Sequence, residues 1–452
     1  MVALDVAAMA CAWPLALALT GFPVPDAGLA GAALLLYPAA NLVLFYALGL
    51  YQRDVLLDAR KALGRIPLAV VLGALIASGT VALLDPAYGS VHGPARLFAL
   101  AVAGFLAGGI AARGVLSSLR RRGFLRRRLL VIGAGPRAWD LVWMLRKEGG
   151  TLNYEIAFVH DPSLGEVDPR LADGSAGRVI TAGNQGILGV AREFGADQIV
   201  VAPDERRGMD LQALLECKVA GFPVQQYLTF VEQEIRRVDL KRMELSWLLY
   251  SEGFSFGILD QTLKRALDVV VSTLLLLASS PFLLAAMAAV KLDDGGPVLY
   301  RQERVTRDGR PFRITKLRTM RVDAEAGGAV WAASADSRIT RIGTFLRRTR
   351  LDELPQLFDV LRGDMSLVGP RPERPQFVQM LANQIPLYQE RHVVKAGLTG
   401  WAQVNYPYGA STDDARSKLS YDLYYVKNFS VLFDLLIILQ TIRVVLWPSG
   451  VR

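Results

Sequence analysis

Cysteine and histidine are almost missing from this chain. Among 452 residues there are two cysteines, Cys11 and Cys217, and three histidines, His92, His160 and His392. The cysteines stand far apart, one in an apolar run and one in a polar stretch, which excludes a disulfide scaffold and a cysteine-built metal centre. The scattered histidines argue against a histidine-based zinc site. Acidic residues are also short: 42 Asp+Glu against 51 Lys+Arg leave a charge of +9. That excess suits an anionic membrane surface or phosphate-bearing substrates, and nothing in its pattern asks for nucleic acid. What is abundant is apolar: 52% of residues are hydrophobic and the mean hydropathy is +0.29, which excludes a disordered chain and argues against a purely soluble one. The length allows two or three domains.

Four apolar runs open the sequence, at 3–20, 28–50, 66–84 and 96–116, each near the twenty or so residues that cross a bilayer as a helix. The first lacks a basic leader and runs into Gly-Phe-Pro-Val-Pro, so it reads as a membrane helix and not as a signal peptide. Arg53, Arg60, Lys61 and Arg65 crowd the second connection, whereas 21–27 has no Lys or Arg and 85–95 has only His92 beside Arg96. The positive-inside rule then places both chain ends in the cytoplasm. Arg120, Arg121, Arg122, Arg126, Arg127 and Arg128 follow as a basic collar at the inner leaflet. A fifth apolar stretch, 269–290, is long enough to span but is basic on both flanks, with Lys264 and Arg265 before and Lys291 and Arg301 after. Ser280-Pro281 falls at its middle, and proline removes a backbone hydrogen bond there. We therefore expect a re-entrant hairpin over 266–291, with a kinked transmembrane helix as the alternative.

Leu129 to Ile132 followed by Gly133-Ala134-Gly135-Pro136 and an apolar-periodic run to Leu145 predicts strand, tight turn and helix. Further strands at 156–159 and 198–202, with a helix around 184–194 between them, predict a Rossmann-like parallel sheet covered on both faces. Gly133, Gly135 and Asp161 are then possible nucleotide-binding residues, although such a turn also serves simply as the shortest way from strand to helix. Tyr never precedes Lys by four residues, so the Tyr-Lys relay of sugar-nucleotide dehydratases is missing. Residues 225–263 lead onward, with 231–249 as an exposed helix or paired strands. The domains expected are a four-helix membrane region (1–118), the α/β Rossmann-like domain (119–250) and an α/β catalytic domain with the re-entrant hairpin (251–452).

Chemistry concentrates in that last region. Cations cluster at 302–307, at 313–320 and at Arg338, Arg341, Arg347, Arg348 and Arg350, and the last cluster runs straight into Asp352-Glu353. Leu351, Leu354, Leu357, Phe358 and Leu361 predict an amphipathic helix, and Pro355 is tolerable only in its first turn, which puts the acids at the helix N-terminus. Adjacent helical side chains diverge by about 100°, so the two carboxylates suit different tasks: one a nucleophile, the other a metal ligand, as phosphoryl transfer requires. Gly369-Pro370-Arg371-Pro372 adds a rigid turn carrying a planar donor.

These pieces resemble the bacterial sugar transferases, the polyprenyl-phosphate phosphoglycosyl transferases. The matching residues are Lys264-Arg265 with Asp268, the Ser280-Pro281 break, Lys316 to Met320, Asp352 to Leu357, Gly363 to Pro372, Gly397 to Asn405 and Tyr421 to Tyr425, spread over roughly 190 residues. The four helices and the Rossmann-like domain are similar to the long form of that family. The resemblance implies that Asp352 takes a phosphosugar from a UDP-sugar with release of UMP and passes it to polyprenyl phosphate. It further implies Mg2+ on Glu353, phosphate contacts from Arg347 and Arg371, Lys316 and Arg318 along the nucleotide or phosphate path, and Asp422 as a supporting polar residue. It places the protein in a bacterial cytoplasmic membrane with its catalytic domain facing the cytoplasm, at the start of exopolysaccharide synthesis, with a glucose- or galactose-type donor; the extra middle domain makes a homodimer the expectation. The segment 429–447 reads as a helix in the headgroup zone or as a buried helix. Ala396 departs from the family's usual proline, which predicts a looser loop before Trp401. The alternatives are a membrane-bound NAD-dependent nucleotide-sugar dehydratase and a non-enzymatic assembly scaffold.

Overall fold

In the computed structural model of the chain, the structure describes residues 1–20, 29–52, 55–56, 59–84, 93–122, 124, 126–147, 154–205, 208–243, 249, 253–254, 257–322, 324, 338–406, 409 and 411–446. It divides into two compact units, Met1–Ile235 and Arg236–Arg452. This boundary lies ahead of the one expected at residue 250. Its cause is local: the Val238 N–H donates to the Ser420 carbonyl at 3.0 Å, and Val238 packs with Leu381, Leu419 and Leu423 of the second unit.

The first unit opens with four apolar helices, α1 (Val2–Thr20), α2 (Leu29–Ala47), α3 (Ala59–Leu84) and α4 (Gly93–Arg121). They answer the four apolar runs, and α1 packs on α4 while α2 packs on α3. Stretches of α1, α3 and α4 are long and apolar enough to cross a membrane. Inside the bundle Trp13 stacks on Tyr37 with ring centroids 4.4 Å apart. Arg113 of α4 meets Asp5 of α1 at 2.6 Å with both side chains buried, so two charges that lipid would not tolerate singly neutralise each other. Arg53 and His92, used above for orientation, lie outside the described residues.

An α/β layer follows: β1 (Arg127–Ile132), α5 (Pro136–Lys147), β2 (Tyr154–His160), β3 (Arg178–Thr181), α6 (Gly186–Phe194), β4 (Gln198–Val201), α7 (Leu211–Val219), β5 (Val224–Gln226) and α8 (Tyr227–Ile235). The five strands form one sheet in the order β3-β2-β1-β4-β5, and all four neighbouring pairs are parallel. Unbroken apolar strands such as Leu129 to Ile132 are buried from both faces, as a parallel sheet requires. The run from Val231 was expected as an exposed helix or strands. Its first residues instead finish α8, where Tyr227, Phe230 and Val231 are buried, and 244–248 lie outside the described residues. Four membrane-length helices across the chain and a parallel α/β layer make this a membrane protein with an α/β domain.

The second unit begins with α9 (Ile258–Asp294), one continuous helix with Pro281 inside it. Then come the antiparallel pair β6 (Leu299–Val305) and β7 (Pro311–Leu317), α10 (Arg341–Thr349), a 3-10 turn at Leu351–Glu353, α11 (Gln356–Arg362), β8 (Ser366–Val368), α12 (Pro375–Gln384), a 3-10 segment at Tyr388–Val393, β9 (Gly397–Thr399), α13 (Trp401–Asn405), α14 (Thr412–Lys427) and α15 (Val431–Leu446). Both ends of α9 dock on this one body. Near its start Arg265 donates to the Val360 and Leu361 carbonyls at 2.7 and 2.6 Å, satisfying the open C-terminal end of α11. Asp268 accepts from the Ser366 hydroxyl and the Leu367 N–H, each at 3.0 Å. Near its end Leu283, Ala286 and Val290 pack on Leu317 and Leu346, and Asp294 pairs with Arg318. Between them Val270, Leu274, Leu277 and Leu284 stand exposed.

Within 429–447, α15 is buried on one face and exposed on another. Ile437 is in the core and Asp434 is fully buried, while Leu432 is 68% exposed. Lys264 donates to Asp434 at 2.5 Å and to the Val368 carbonyl at 3.0 Å, and Tyr425 donates to the other Asp434 oxygen at 2.8 Å. Removing one member of a buried pair strands the other charge. Asp434→Leu is therefore expected to cost about 3–5 kcal/mol, read as a drop in the unfolding temperature of the detergent-solubilised chain. The double change Lys264→Met with Asp434→Leu should recover most of that drop; equal stability of the single and double variants would reject the pair as a structural tie.

Candidate active site

The adjacent acids were expected at a helix N-terminus; they sit one turn earlier. Arg350 takes a left-handed conformation (φ 60°) that ends α10 and starts the 3-10 turn carrying Asp352 and Glu353, and Pro355 then leads into α11. The tight turn separates the two side chains. Glu353 Oε1 lies 3.2 Å from Lys316 Nζ of β7, 3.1 Å from Arg371 Nη2 and 3.7 Å from Arg350 Nη1. Asp352 is buried, and its Oδ1 has no hydrogen-bond partner.

Electrostatics follow this division. Burial, and then the Glu353 charge, push the Asp352 carboxyl up to about 6 against the pull of Lys316, Arg347 and Arg350. Burial alone would also raise Glu353, but Lys316, Arg371 and Arg350 together hold it well below the usual carboxylate range. Burial lowers Lys316 in spite of Glu353. The result is one permanently ionised acid clamped by cations beside one whose proton is available near neutrality.

The clamp is supported from below. Asp359 of α11 accepts from the Thr315 N–H and hydroxyl at 2.8 and 3.1 Å, fixing β7, and so Lys316, against the helix that follows the acids. Gly369, Gly397 and Gly400 bring two loops into backbone contact: a Cβ on Gly397 would stand 2.1 Å from Gly369 N, and one on Gly400 2.1 Å from Gly369 O. No side chain fits there. The Gly369 N–H donates to the Thr399 carbonyl and the Gly397 N–H to the Pro370 carbonyl, both at 2.9 Å. Ala396 does not loosen this loop as expected, since its N–H, which proline would lack, donates to Thr306 Oγ1 at 3.1 Å.

The residues singled out in the sequence thus separate. Asp352, Glu353, Lys316 and Arg371 converge, and Arg347 contributes to the field at Asp352 while its Nε donates to Thr319 Oγ1 at 2.9 Å. Arg318 instead bonds Asp294 and the Pro297 carbonyl, closing the end of α9 onto β7. Asp422 stands one layer back: it pairs with Arg391 at 2.8 Å, and Arg391 donates to the Arg371 carbonyl at 3.0 Å. Ser280 donates to the Leu277 carbonyl at 2.9 Å beside Pro281. Arg391 was missed by sequence reasoning, whereas Arg304, in the 302–307 cluster, and Gln403, in the Gly397 to Asn405 piece, were noted without a role in the site; the fold brings all three to the Arg371 turn.

In the α/β layer Gly133 takes φ +107°, and a Cβ there would lie 2.7 Å from the Ala202 carbonyl. At Gly135 a Cβ would lie 2.1 Å from Asp204 Oδ2, and Asp204 Oδ1 accepts the Arg137 N–H at 3.0 Å. The chain's own carboxylate therefore occupies the start of α5, where a dinucleotide's phosphates would need the N–H groups. Asp161 caps the turn at Pro162–Leu164 by accepting from Ser163 N at 2.9 Å.

A hard cation is held by one or two carboxylates together with phosphate oxygens, and Glu353 fits that role as an ionised carboxylate whose three cation contacts all fall on Oε1. Among the described residues no group of three His, Cys, Asp or Glu forms a complete cage, so such an ion would need oxygens from a substrate.

A membrane helix docked at both ends on an α/β body, with a cation-clamped acid pair at its heart, defines a class of membrane-bound, anion-handling enzyme sites. Residues 259–448 match the family model for bacterial sugar transferase. The chain is 32% identical over 349 residues to a UDP-glucose:undecaprenyl-phosphate glucose-1-phosphate transferase of Klebsiella pneumoniae, covering 75% of this chain and 72% of that protein. It is 40% identical over 252 residues to a UDP-N-acetylgalactosamine-undecaprenyl-phosphate N-acetylgalactosaminephosphotransferase of Aeromonas hydrophila, covering 55% of this chain and 58% of that protein. The exopolysaccharide production protein PSS of Rhizobium leguminosarum is 42% identical over 190 residues, 41% of this chain and 95% of that one. The chain belongs to the bacterial sugar transferase family.

Because Glu353 is among the causes that raise Asp352, Glu353→Gln should move the Asp352 midpoint down from about 6. Carboxyl-carbon NMR of the labelled chain across pH checks this; an unmoved or raised midpoint would show that the two acids are not coupled.

Proposed function

We propose that the protein transfers a phosphosugar from a UDP-sugar to undecaprenyl phosphate, giving undecaprenyl-diphospho-sugar and UMP. The observation that carries this reading is the division of labour between Asp352 and Glu353, and the substrates in the relatives' names supply the donor and acceptor classes. In the first step an Asp352 carboxylate oxygen attacks the β-phosphorus of the donor. The bond from that phosphorus to the bridging oxygen breaks, and UMP leaves with the electron pair. In the second step an oxygen of undecaprenyl phosphate attacks the same phosphorus, and the Asp352 carboxylate is released unchanged. An unbonded, buried carboxylate with a raised pKa is a better nucleophile than a salt-bridged one. Lys316, Arg371 and Arg347 orient the phosphates, and Glu353 keeps Lys316 and Arg371 in place. Magnesium, when held by Glu353 with the donor's diphosphate, would neutralise charge on the leaving group.

We also read α9 as re-entrant. Its two ends dock on one body, and a straight helix of this length would reach about 55 Å, so the exposed apolar middle is best buried by dipping into one leaflet and returning. That keeps the acids at the cytoplasmic face of a bacterial inner membrane, where a soluble nucleotide sugar and a lipid phosphate meet, at the initiating step of exopolysaccharide synthesis. The middle layer is read as Rossmann-like in strand order but closed to dinucleotides by Asp204, which removes the support for an NAD-dependent reaction. The exposed row Leu211, Leu215 and Val219 on α7 supports a homodimer formed through this layer.

The test is UMP release from a panel of UDP-sugars by the full chain with magnesium and undecaprenyl phosphate. Wild type should release UMP with one sugar and, without the acceptor, gain the mass of one phosphosugar. Asp352→Asn should lose about 10³-fold or more of the rate. Full activity in Asp352→Asn would sink the covalent route, and an inactive folded wild type would sink the reading as a whole. Only ionised Asp352 attacks, so kcat/KM should fall tenfold per pH unit below an apparent pKa near 6. A flat profile down to pH 5 would contradict the raised carboxyl.

A further inference from the structure

Among the buried donors that meet no protein acceptor, Arg304 Nε and Gln403 Nε2 belong to side chains that contact the Arg371-Pro372 turn itself or its Arg371 guanidinium. Their neighbours fix them. On β6, Arg304 donates through Nη2 to Gln302 Oε1 at 2.6 Å and through Nη1 to the Pro372 carbonyl at 3.2 Å, with Glu373 3.7 Å away. Gln302 is held in turn by donating to the Tyr300 hydroxyl at 2.8 Å. Gln403, on α13, accepts from Arg371 Nη1 at 3.5 Å. Both side chains are therefore tied to the Arg371-Pro372 turn, and each keeps a donor nitrogen, Arg304 Nε with one N–H and Gln403 Nε2 with two, that meets no protein acceptor.

A buried donor without an acceptor costs free energy that a native fold recovers from water or a ligand. The local charge says which kind of ligand. Arg304, Lys316, Arg350 and Arg371 surround Asp352, Glu353 and Glu373, and Arg304 is repelled by Arg371 and Arg374. An anion with several oxygens would relieve that crowding. The Arg371 guanidinium stands between Glu353 on Nη2 and Gln403 on Nη1, so Gln403 is one guanidinium removed from the acids.

We propose that Arg304 and Gln403 form the donor's diphosphate subsite, giving their N–H groups to oxygens of the phosphate that departs with UMP. The subsite rests on the phosphoglycosyl transfer proposed above, and it adds a prediction that Asp352 and Glu353 do not make. Contacts to the departing phosphate matter in the first step alone, since UMP has gone before the lipid phosphate arrives. Loss of either donor should then weaken donor kinetics and leave acceptor kinetics alone.

The experiment uses the full chain in nanodiscs, with Gln403→Glu, which keeps the shape and the Arg371 contact but replaces the N–H donor by an oxygen, and Arg304→Lys, which keeps the charge but loses Nε. Equilibrium binding of UDP without acceptor, and kcat/KM for each substrate separately, are measured. Both variants should bind UDP about tenfold or more weaker and lose the same factor in donor kcat/KM, as expected for a hydrogen bond to a charged group. Acceptor kcat/KM should stay within about twofold. The proposal is overturned if UDP binding is unchanged in both variants, if donor and acceptor kcat/KM fall together, or if wild type binds no UDP. A wild type that binds UDP through these residues yet releases no UMP would support the subsite and overturn the transfer reaction instead.

Discussion

Everything in the catalytic unit serves one electrostatic constraint: Glu353 must stay ionised inside the protein while its neighbour Asp352 remains unpaired. Three cations from three separate segments, Lys316 on β7, Arg350 at the end of α10 and Arg371 on the loop after β8, meet a single oxygen of Glu353. None of those segments is near another in sequence, so the clamp exists only in the folded unit. A 3-10 turn is what lets adjacent residues diverge into two environments, and Arg350 pays for it with a left-handed backbone. Strain of this kind, of the order of 1 kcal/mol or more, is tolerated where the surroundings over-determine it. Asp352 is deprived of partners by the same arrangement that surrounds Glu353 with them.

The membrane helix and the acids are mechanically one piece. Arg265 of α9 closes the C-terminal end of α11, and α11 begins immediately after the turn that carries the acids. Asp268 holds β8, and β8 leads into the Arg371 turn. Moving α9 along the bilayer normal would therefore move both halves of the clamp together. Behind the turn, the buried Asp422–Arg391 pair reaches the Arg371 backbone carbonyl. Asp422 acts on the site through this chain of contacts and not by touching what binds there.

Much of this was legible in the sequence, and what was not had a physical reason. Four apolar runs announced α1 to α4, and unbroken apolar strands announced a parallel sheet, because periodicity reports burial directly. The acid pair was legible because Pro355 restricts where a helix can start, although a 3-10 turn and a helical first turn have the same signature in sequence. Arg318 was misleading: it shares a motif with Lys316, but β7 ends at Leu317, and just past that end Arg318 turns to Asp294 and the Pro297 carbonyl while Lys316, still in the strand, meets Glu353. The effect of Ala396 was also misjudged, since a backbone N–H taken up by Thr306, ninety residues earlier in the chain, leaves no local trace. Asp204 is the same kind of case, a residue after β4 that reaches the glycine turn after β1 through sheet order alone.

Asp204 and Asp352 show how one chemical group can carry opposite meanings. Both are carboxylates beside a turn that opens a helix, a place where backbone N–H groups favour anions. Asp204 accepts the Arg137 N–H and stands against Gly135, so the glycine turn of the α/β layer is filled by the chain itself. Asp352 does not use its Oδ1 at all, and the surrounding cations are spent on Glu353. A buried oxygen left unbonded costs about 1–3 kcal/mol, which selection for stability alone would remove by the simplest of changes, a small apolar residue. The cost is intelligible only if the oxygen meets something the folded chain does not contain. At the turn Gly133–Gly135 the chain's own carboxylate instead already accepts a backbone N–H and fills the space beside Gly135, which gives that turn the character of packing.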